Sequence, residues 1–229
     1  MSKETKKSYR LLVVAHPDDE TLFFSAALMQ LRDLPWLVVC ATNGNADGVG
    51  SERAKQFKKA CGKLKVQTAL QWNFPDIFEE RLDINGLVYH LEQLPIPAEV
   101  YTHGITGEYG HPHHQDISFA VHKVFAKKSR IWVPAYNGFA DKTLKLTKAQ
   151  YELKAFIYSK IYGSETLRFA PFIPNRSVDE FMRLDFAEVR EIYSAIIEKR
   201  APRKAKLKKY KWFHSFMSED NQRKKIRPF

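Results

Sequence analysis

The 229-residue sequence contains only two cysteines, Cys40 in an apolar run and Cys61 in a segment of helical periodicity. Two such residues do not make a disulfide framework, so we expect buried thiols and a reducing compartment. Long apolar stretches are also missing, because the best runs, 11–15 and 36–41, are far shorter than a transmembrane helix. Residues 1–10 are polar and basic, and no apolar segment typical of a signal peptide follows them. These absences predict a cytoplasmic protein.

An excess of one charge sign is almost absent from the first 200 residues, although the whole chain carries a formal net charge of +11. Residues 201–229 hold ten Lys or Arg against two Asp or Glu, a net charge of +8, which leaves +3 for the rest. A nearly neutral body is not expected to bind nucleic acid. We therefore predict one domain over 1–200, followed by a basic C-terminal tail over 201–229.

The tail interleaves lysines with aromatic residues and admits three interpretations. Four of its residues share one face if the tail is helical: Leu207, Tyr210, Phe213 and Met217. This face can pack on the body while the lysines stay in water, which is the interpretation we place first. The same composition suits a helix lying on an anionic membrane surface, where each engaged basic residue contributes ~1 kcal/mol and the protein becomes peripheral. Stacking on single-stranded nucleic acid is the interpretation we place last.

Up to residue 133, apolar runs rich in β-branched residues alternate with segments of helical periodicity. The predicted strands are 10–15, 36–42, 68–72, 99–103 and 131–133, and the predicted helices between them are 22–31, 52–64, 82–94 and 116–126. This alternation is typical of an α/β protein whose parallel sheet is covered by helices on both faces. Past residue 133 the pattern weakens, and 149–158 and 178–199 are predicted as helices packed around the sheet.

Polar loops follow four of these strands at the carboxyl end, where parallel sheets bind their ligands. Residues 16–19 put one imidazole and two carboxylates in a single turn, and 111–114 put three imidazoles where a loop enters a helix. Catalytic zinc is commonly held by a mixed set of His and carboxylate ligands. Taken singly, Asp19 is as readily a helix N-cap, and loop histidines are commonly surface residues or adventitious metal binders. Because both clusters are predicted at one edge of the sheet, we favour a metal site.

The segment Ala15-His-Pro-Asp-Asp-Glu20, together with Gly110-His-Pro-His-His114, resembles the paired signature of the PIG-L/LmbE-like N-acetylglucosamine deacetylases. The resemblance extends through 42–44, Arg53, 74–76 and 154–159, so it covers roughly the first 160 residues and is thin after 133. It implies a Rossmann-like, mostly parallel sheet with helices on both faces and an LmbE-like catalytic domain over 1–200. It also implies one bound zinc ion and removal of the acetyl group from an N-acetylglucosamine-containing small molecule or glycan precursor.

The resemblance assigns a role to each matching position. The zinc ligands are His16, Asp19 and His114, the general base is Asp18, the oxyanion donors are His111 and Tyr109, and the sugar contacts are Arg53 and Asp76. In the reaction that it implies, a metal-bound water attacks the acetyl carbonyl, because zinc lowers the pKa of that water towards ~7. Asp18 takes the proton of the water and can return it to the leaving amine.

One position departs from the family pattern, because this chain has His113 where the family usually has Asp or Asn. An aspartate there can tune the protonation of His111, and this chain does without it. We expect His113 to face solvent from its helix rather than to serve as a fourth ligand. His103, at the end of the fourth strand, either supports the site from behind or is an ordinary loop residue, and Tyr101 is expected in the core.

Two other functions remain open at this point. A metal-dependent hydrolase of another amide or ester would look similar, because a fold does not determine a substrate. A basic-tailed binding protein with a non-catalytic metal site would also carry these histidines. Asp18 distinguishes the last case, because a purely structural zinc has no use for an unligated carboxylate beside it.

Overall fold

The structure, a computed structural model, describes residues 9–78, 80–170 and 173–226, with side chains as far as 219. Residues 1–8 of the polar N-terminal segment and 227–229 of the predicted tail lie outside the described residues. The strands are β1 Arg10–Val14, β2 Trp36–Thr42, β3 Thr68–Phe74, β4 Glu99–Thr102, β5 Arg130–Pro134, β6 Lys142–Lys145 and β7 Val178–Met182. The helices are α1 Asp19–Gln30, α2 Gly50–Lys63, α3 Ile84–Glu92, α4 Pro112–Phe125, α5 Lys148–Phe156, α6 Gly163–Phe169, α7 Phe186–Ile197 and α8 Lys211–Ile226.

Within the described ranges, seven strands form one sheet in the order β3-β2-β1-β4-β5-β7-β6. The first five strands are parallel, and β1 lies between β2 and β4. Strand β7 runs antiparallel to both of its neighbours, β5 and β6. The prediction of an α/β protein with a mostly parallel sheet is therefore confirmed. The switch in strand order beside β1 creates a crevice at its carboxyl end, where residues 16–19 follow.

The core lies on both faces of the sheet because side chains alternate along each strand. Leu11 and Val13 of β1 pack in one apolar cluster with residues of α3, α4 and α7. Leu12 and Val14 pack on the opposite face in a second cluster with residues of α1 and α2. Each fully buried Leu or Val contributes about 1.5–3 kcal/mol. The predicted cover of helices on both faces is thus present.

The C-terminal part of the sheet corrects the sequence prediction. Residues 178–199 were predicted as one helix, but they form strand β7 and then helix α7. The prediction was wrong because Asp179 and Glu180 make β7 look unlike a buried strand. Asp179 is satisfied inside the fold, since its carboxylate accepts the Ala26 N–H at 2.6 Å and lies 3.5 Å from the Lys154 ammonium. A second small correction concerns α2, which begins at Gly50 and not at the predicted residue 52.

Part of the basic tail packs on the body. Leu207, Tyr210 and Phe213 are buried and belong to the same apolar cluster as α4 and α7. The backbone N–H groups of residues 208–210 all donate to Glu188 Oε1 on α7, at 2.8 to 2.9 Å. These buried side chains and hydrogen bonds agree with the first interpretation of the tail, in which its apolar face packs on the body. The boundary at residue 200 between domain and tail stays a prediction.

The two cysteines and the helices have the character that the sequence predicts. Cys40 and Cys61 are both free and buried, as expected. Across the part of the chain that the structure describes, no helix combines the length and the apolar character needed to span a membrane.

Candidate metal centre and active-site cleft

The turn after β1, residues 16–19, has an unusual backbone conformation that positions its polar side chains. Asp18 has a φ of 122°, a region that residues other than glycine rarely adopt, at a typical cost of ~1–3 kcal/mol. The turn is held by side chains that accept its own N–H groups: Asp19 Oδ2 accepts from His16 at 2.8 Å, and Glu20 Oε2 accepts from Asp18 at 3.1 Å. Such strain persists only where the surroundings require the conformation, as at a functional site.

His16, Asp19 and His114, the three predicted zinc ligands, come together below this turn. Each offers one ligand atom, and these atoms all lie within 4.8 Å of one another. His16 Nδ1 lies 3.4 Å from Asp19 Oδ2, and His114 Nε2 lies 3.4 Å from Asp19 Oδ1. Although His114 is fully buried, its Nε2 has no hydrogen-bond partner among the described residues. Two imidazoles and one carboxylate with an unsatisfied nitrogen between them fit zinc with an open position.

Glu108 supports this centre, and the sequence analysis missed it. Its carboxylate lies 2.7 Å from His114 Nδ1 and 3.1 Å from His103 Nδ1. A carboxylate behind a histidine keeps the proton on that nitrogen and leaves the opposite nitrogen free to bind metal. Burial raises the pKa of Glu108, but His103 and His114 lower it to about 2, so the group is ionised. The signal in the sequence that could have identified Glu108 is its position, because it is an acidic residue in the loop that follows a predicted strand.

The loop that carries Glu108 depends on a glycine. Gly107 has a φ of +74°, and a Cβ there would lie 2.5 Å from the backbone oxygen of His111. The chain can therefore turn tightly at this point only without a side chain. His103, which this turn brings against Glu108, is fully buried and has its Nε2 3.3 Å from Asp19 Oδ2. Of the two expectations for His103, the geometry supports a role behind the ligands, and Tyr101 is buried in the core as expected.

Asp18 lies beside the centre and is held by Arg53. Its Oδ2 is 3.0 Å from the Arg53 guanidinium, which also donates to the backbone oxygen of Pro17 at 2.6 Å. Burial raises the pKa of Asp18 to about 8, against the lowering effect of Arg53. Asp76 is on the other side of Arg53, with 3.8 Å between Arg53 Nη1 and Asp76 Oδ2. Both predicted sugar contacts therefore line the same wall as Asp18.

His111 and Tyr109 lie on the side of the metal centre opposite Asp18 and Arg53. The His111 ring stacks on the His114 ring at 4.7 Å, and its Nδ1 accepts the His113 N–H at 3.2 Å as the N-cap of α4. Burial, followed by the neighbouring histidines, holds the pKa of His111 well below its usual value, so the ring is neutral. With Nδ1 accepting, the proton is on Nε2. Tyr109 is half exposed, with its ring 5.4 Å from that of His114.

His113 does not face solvent, and that prediction was wrong. Its side chain is 1% exposed, and its Nδ1 lies 3.0 Å from His16 Nε2. Helix α4 begins at Pro112, and its first turn packs on the turn after β1 instead of facing solvent. His113 therefore lies in the first turn of the helix, against the turn that follows β1.

A cleft of about 340 Å³ opens onto this centre. His16, Asp18, Arg53, Asp76, Tyr109 and His111 line its floor. The C-terminal half of the chain covers one rim through α6, where Arg168 forms an ion pair with Asp47. A second groove of about 440 Å³ shares Tyr109 with the cleft and is otherwise lined by the loop before α4, the start of α4, the end of α7 and α8. This groove is larger, but the clustered ligands and Asp18 lie in the cleft, which is the candidate site.

Comparisons with known proteins found relatives that are named as de-N-acetylases. Over 91 residues the chain is 33% identical to the N-acetylglucosaminyl-phosphatidylinositol de-N-acetylase of Saccharomyces cerevisiae, covering 36% of this chain and 30% of that protein. Over 162 residues it is 31% identical to the probable N-acetylglucosaminyl-phosphatidylinositol de-N-acetylase of Schizosaccharomyces pombe, covering 66% of this chain and 56% of that protein. The matched segments thus span from under a third to just over half the length of these relatives.

The solved structure of N,N'-diacetylchitobiose deacetylase from Pyrococcus horikoshii has the same fold. It aligns with a TM-score of 0.59 and 16% identity over 79% of this chain and 85% of that chain. The family model described as PIG-L, GlcNAc-PI de-N-acetylase, matches residues 11–125. Because that match covers half of the chain, from β1 to the helix that carries His114, the protein belongs to the PIG-L family.

Proposed function

We propose that the protein is a zinc-dependent N-deacetylase that hydrolyses the N-acetyl group of an N-acetylglucosamine-containing substrate. One observation carries the proposal: Asp18, an unligated and buried carboxylate, lies directly beside the cluster of His16, Asp19 and His114. A non-catalytic metal site does not need this carboxylate. Membership of the PIG-L family and relatives named as deacetylases support the same activity.

The metal would be held by His16, Asp19 and His114, whose fit rests on the spacing of their ligand atoms and the unpaired Nε2 of His114. When bound, zinc supplies a Lewis acid that polarises the acetyl carbonyl and lowers the pKa of water at the centre. The chain keeps this centre rigid from behind, because Glu108 fixes the proton of His114 on Nδ1.

Asp18 is the proposed general base. It accepts a proton from the attacking water and passes it to the amine that leaves when the amide bond breaks. Arg53 aims this carboxylate, because its guanidinium is anchored to the backbone oxygen of Pro17 as well as to Asp18. General acid–base catalysis of this kind typically contributes ~10²–10⁴ in rate.

His111 is the proposed donor to the oxyanion that develops on the acetyl oxygen. Its neutral ring can donate from Nε2, because Nδ1 is occupied by the His113 N–H. Loss of one such donor typically costs ~10²–10³ in rate. Tyr109, at the half-exposed edge of the cleft, is the second proposed donor.

Arg53 and Asp76 are the proposed contacts for sugar hydroxyls, as carboxylate and guanidinium groups at the floor of an open cleft. The cleft volume of about 340 Å³ lies in the range of small-molecule sites. An N-acetylglucosamine unit as substrate follows from the relatives' names rather than from the cleft. We also propose a cytoplasmic location, with reversible contact to an anionic membrane through the tail.

The decisive experiment measures acetate release from a panel of N-acetylglucosamine conjugates and N-acyl amino acids, with apoprotein and zinc-loaded protein in parallel. We expect release from at least one sugar conjugate, dependent on zinc, and none from N-acyl amino acids. Release from N-acyl amino acids alone would make the protein an amide hydrolase of another class. A zinc-loaded, folded protein that releases no acetate from any member would contradict the proposal.

A further inference from the structure

A second group of ligand atoms lies on the far side of His16. His16 Nε2 is 3.0 Å from His113 Nδ1 and 3.5 Å from Asp76 Oδ1, and those two atoms are 3.6 Å apart. His111 adds a fourth side chain, since His16, His111 and His113 each offer a ligand atom within 4.8 Å of the others. All four side chains line the cleft.

The spacing of these atoms is that of a metal site. Zinc binds nitrogen and oxygen ligands at ~2.0–2.2 Å in a tetrahedron, which puts neighbouring ligand atoms roughly 3.3–3.6 Å apart. In the centre already described, each histidine nitrogen lies 3.4 Å from an oxygen of Asp19. Asp76 Oδ1 lies 3.5 Å from His16 Nε2 and 3.6 Å from His113 Nδ1, which is within this range, and the two nitrogens are 3.0 Å apart, so they need to separate by about 0.3 Å around an ion.

The two groups use opposite nitrogens of one ring. His16 Nδ1 faces Asp19, whereas Nε2 faces His113 and Asp76. The second group is the less favourable for a cation, because the Arg53 guanidinium lies 3.8 Å from Asp76 and competes for its carboxylate. A second cation would therefore bind more weakly than the first.

We propose that His113, Asp76 and His16 Nε2, joined by His111, form a second and weaker site for a divalent metal ion such as zinc. Filling both sites makes the His16 ring a bridge and releases its Nε2 proton to solvent, and His111 joins only by moving its own proton from Nε2 to Nδ1 and giving up the His113 N–H. The site depends on His113, the position where the family resemblance predicts Asp or Asn. A consequence rests on the proposed function: an ion held by Asp76 and His111 occupies the part of the cleft assigned to substrate, so excess zinc inhibits deacetylation.

The first test counts metal and needs no substrate. The protein is dialysed to equilibrium against increasing zinc, and bound zinc per chain is measured by elemental analysis. We expect two ions for the wild type, the second at least tenfold weaker, and one ion for His113→Asn. His90→Asn is the matched control, because His90 is an exposed histidine that packs on Trp72 and should leave both ions in place.

A wild type that saturates at one ion overturns the proposal, and so does a His113→Asn protein that still binds two. Thermal unfolding first establishes that each variant folds, and Asp76→Asn provides the same test if His113→Asn does not fold. Failure of the proposed function is separate, because two ions can be counted in a protein that releases no acetate. Where acetate is released, the rate at excess zinc divided by the rate at one equivalent should fall well below one for the wild type and stay near one for His113→Asn.

Discussion

The N-terminal half of the chain, residues 9–125, and the C-terminal half, residues 126–226, contribute to the cleft in different ways. Every proposed ligand, base and oxyanion donor lies in the N-terminal half, on the turn after β1, in the loop after β3, in the loop before α4 or in the first turn of α4. The C-terminal half supplies cover: Tyr162 donates to Glu20 behind the turn after β1, and α6 forms part of the rim.

The two halves differ in the kind of contact that holds them together. Polar groups in the N-terminal half are buried and satisfy one another, so a small displacement there leaves a charge or a lone pair without a partner. In the C-terminal half the buried carboxylates of Asp179 and Glu191 are paired with basic side chains far from the ligands, and most other contacts are apolar packing or surface ion pairs, which tolerate change better. We therefore expect substitutions in the N-terminal half to act on chemistry and metal, and those in the C-terminal half to act on stability and substrate access.

The largest effect is expected at Asp18 in the N-terminal half. Asp18→Asn keeps the shape of the side chain and removes its ability to accept a proton. We expect a ~10²–10⁴ loss in kcat with zinc content unchanged, because a base acts only along the reaction path. Asp33→Asn is the control, since Asp33 is exposed and pairs with Arg10 away from the cleft. Normal turnover by a zinc-loaded Asp18→Asn protein would remove Asp18 from the mechanism.

The next effect belongs to the C-terminal half and concerns stability. Phe213 and Phe216 lie one turn apart on α8, with exposed fractions of 6% and 58%. Phe213→Ala should lower the free energy of unfolding by about 3 kcal/mol, because it empties space in the core. Phe216→Ala should change it by less than about 0.5 kcal/mol, as surface substitutions usually do. Urea unfolding of both variants tests this, and equal effects would show that α8 does not pack as described.

A smaller effect is expected from Glu108 in the N-terminal half. Glu108→Gln keeps the size of the side chain but weakens its hold on the protons of His103 and His114. We expect zinc affinity to fall ~10–100-fold, the usual result when a group behind a metal ligand is changed. Chelator competition measures the affinity, and Glu92→Gln, at the exposed end of α3, is the control. Unchanged affinity would mean that Glu108 does not orient His114.

The next smaller effect is expected at Glu191 in the C-terminal half, where an ion-pair contact is sensitive to acid. Glu191 is buried, and although burial raises its pKa, Arg203 and Arg200 lower it from 4.5 to about 2. A carboxylate whose pKa is lower in the folded state stabilises the fold above pH 4.5, and this stabilisation disappears as the pH falls towards 2. Glu191→Gln should therefore unfold at lower temperature than wild type at pH 7, and the difference should narrow between pH 5 and about pH 3. A difference that is constant across this range would contradict the assignment.

The sequence predicted the N-terminal half well because local signals there agree. Strands β1 and β2 are continuous apolar runs, which is how strands buried on both faces look, and polar loops follow them directly. His113 was misplaced because the contact that buries it, with His16 in the turn after β1, is distant in sequence and leaves no local pattern. The start of α4 was also predicted four residues late. Pro112 at the first helical position is a start signal that marks the correct boundary.

An unusual backbone conformation and a long-range contact explain what the sequence did not predict. Glu108 becomes a supporting group only because Gly107 and Glu108 both have positive φ, which folds the carboxylate under two histidines. Strand β7 needs Lys154, which is distant in sequence, to satisfy Asp179. Neither relationship has a local pattern, so each is visible only once the chain is folded.

The smallest expected effect concerns the tail and a membrane surface. With Leu207, Tyr210 and Phe213 packed on the body, the large exposed apolar side chains among those that the structure describes in the tail are Trp212 and Phe216, exposed by 43% and 58%. Reversible contact would then rest on these two rings and on nearby lysines, each engaged lysine contributing ~1 kcal/mol.

Sedimentation with anionic and neutral vesicles tests this contact without removing the segment, since truncation at Arg200 would expose the core that Phe213 covers. We expect weak binding to anionic vesicles only, reduced several-fold by the double substitution Trp212→Ser and Phe216→Ser. Phe139→Ser is the control, because Phe139 is 95% exposed on a loop of the body. Negligible binding by the wild type to both kinds of vesicle would leave packing on the body as the sole role of the tail. Equal loss in the control would assign the contact to exposed aromatic rings in general, and α8 would then have no special part in it.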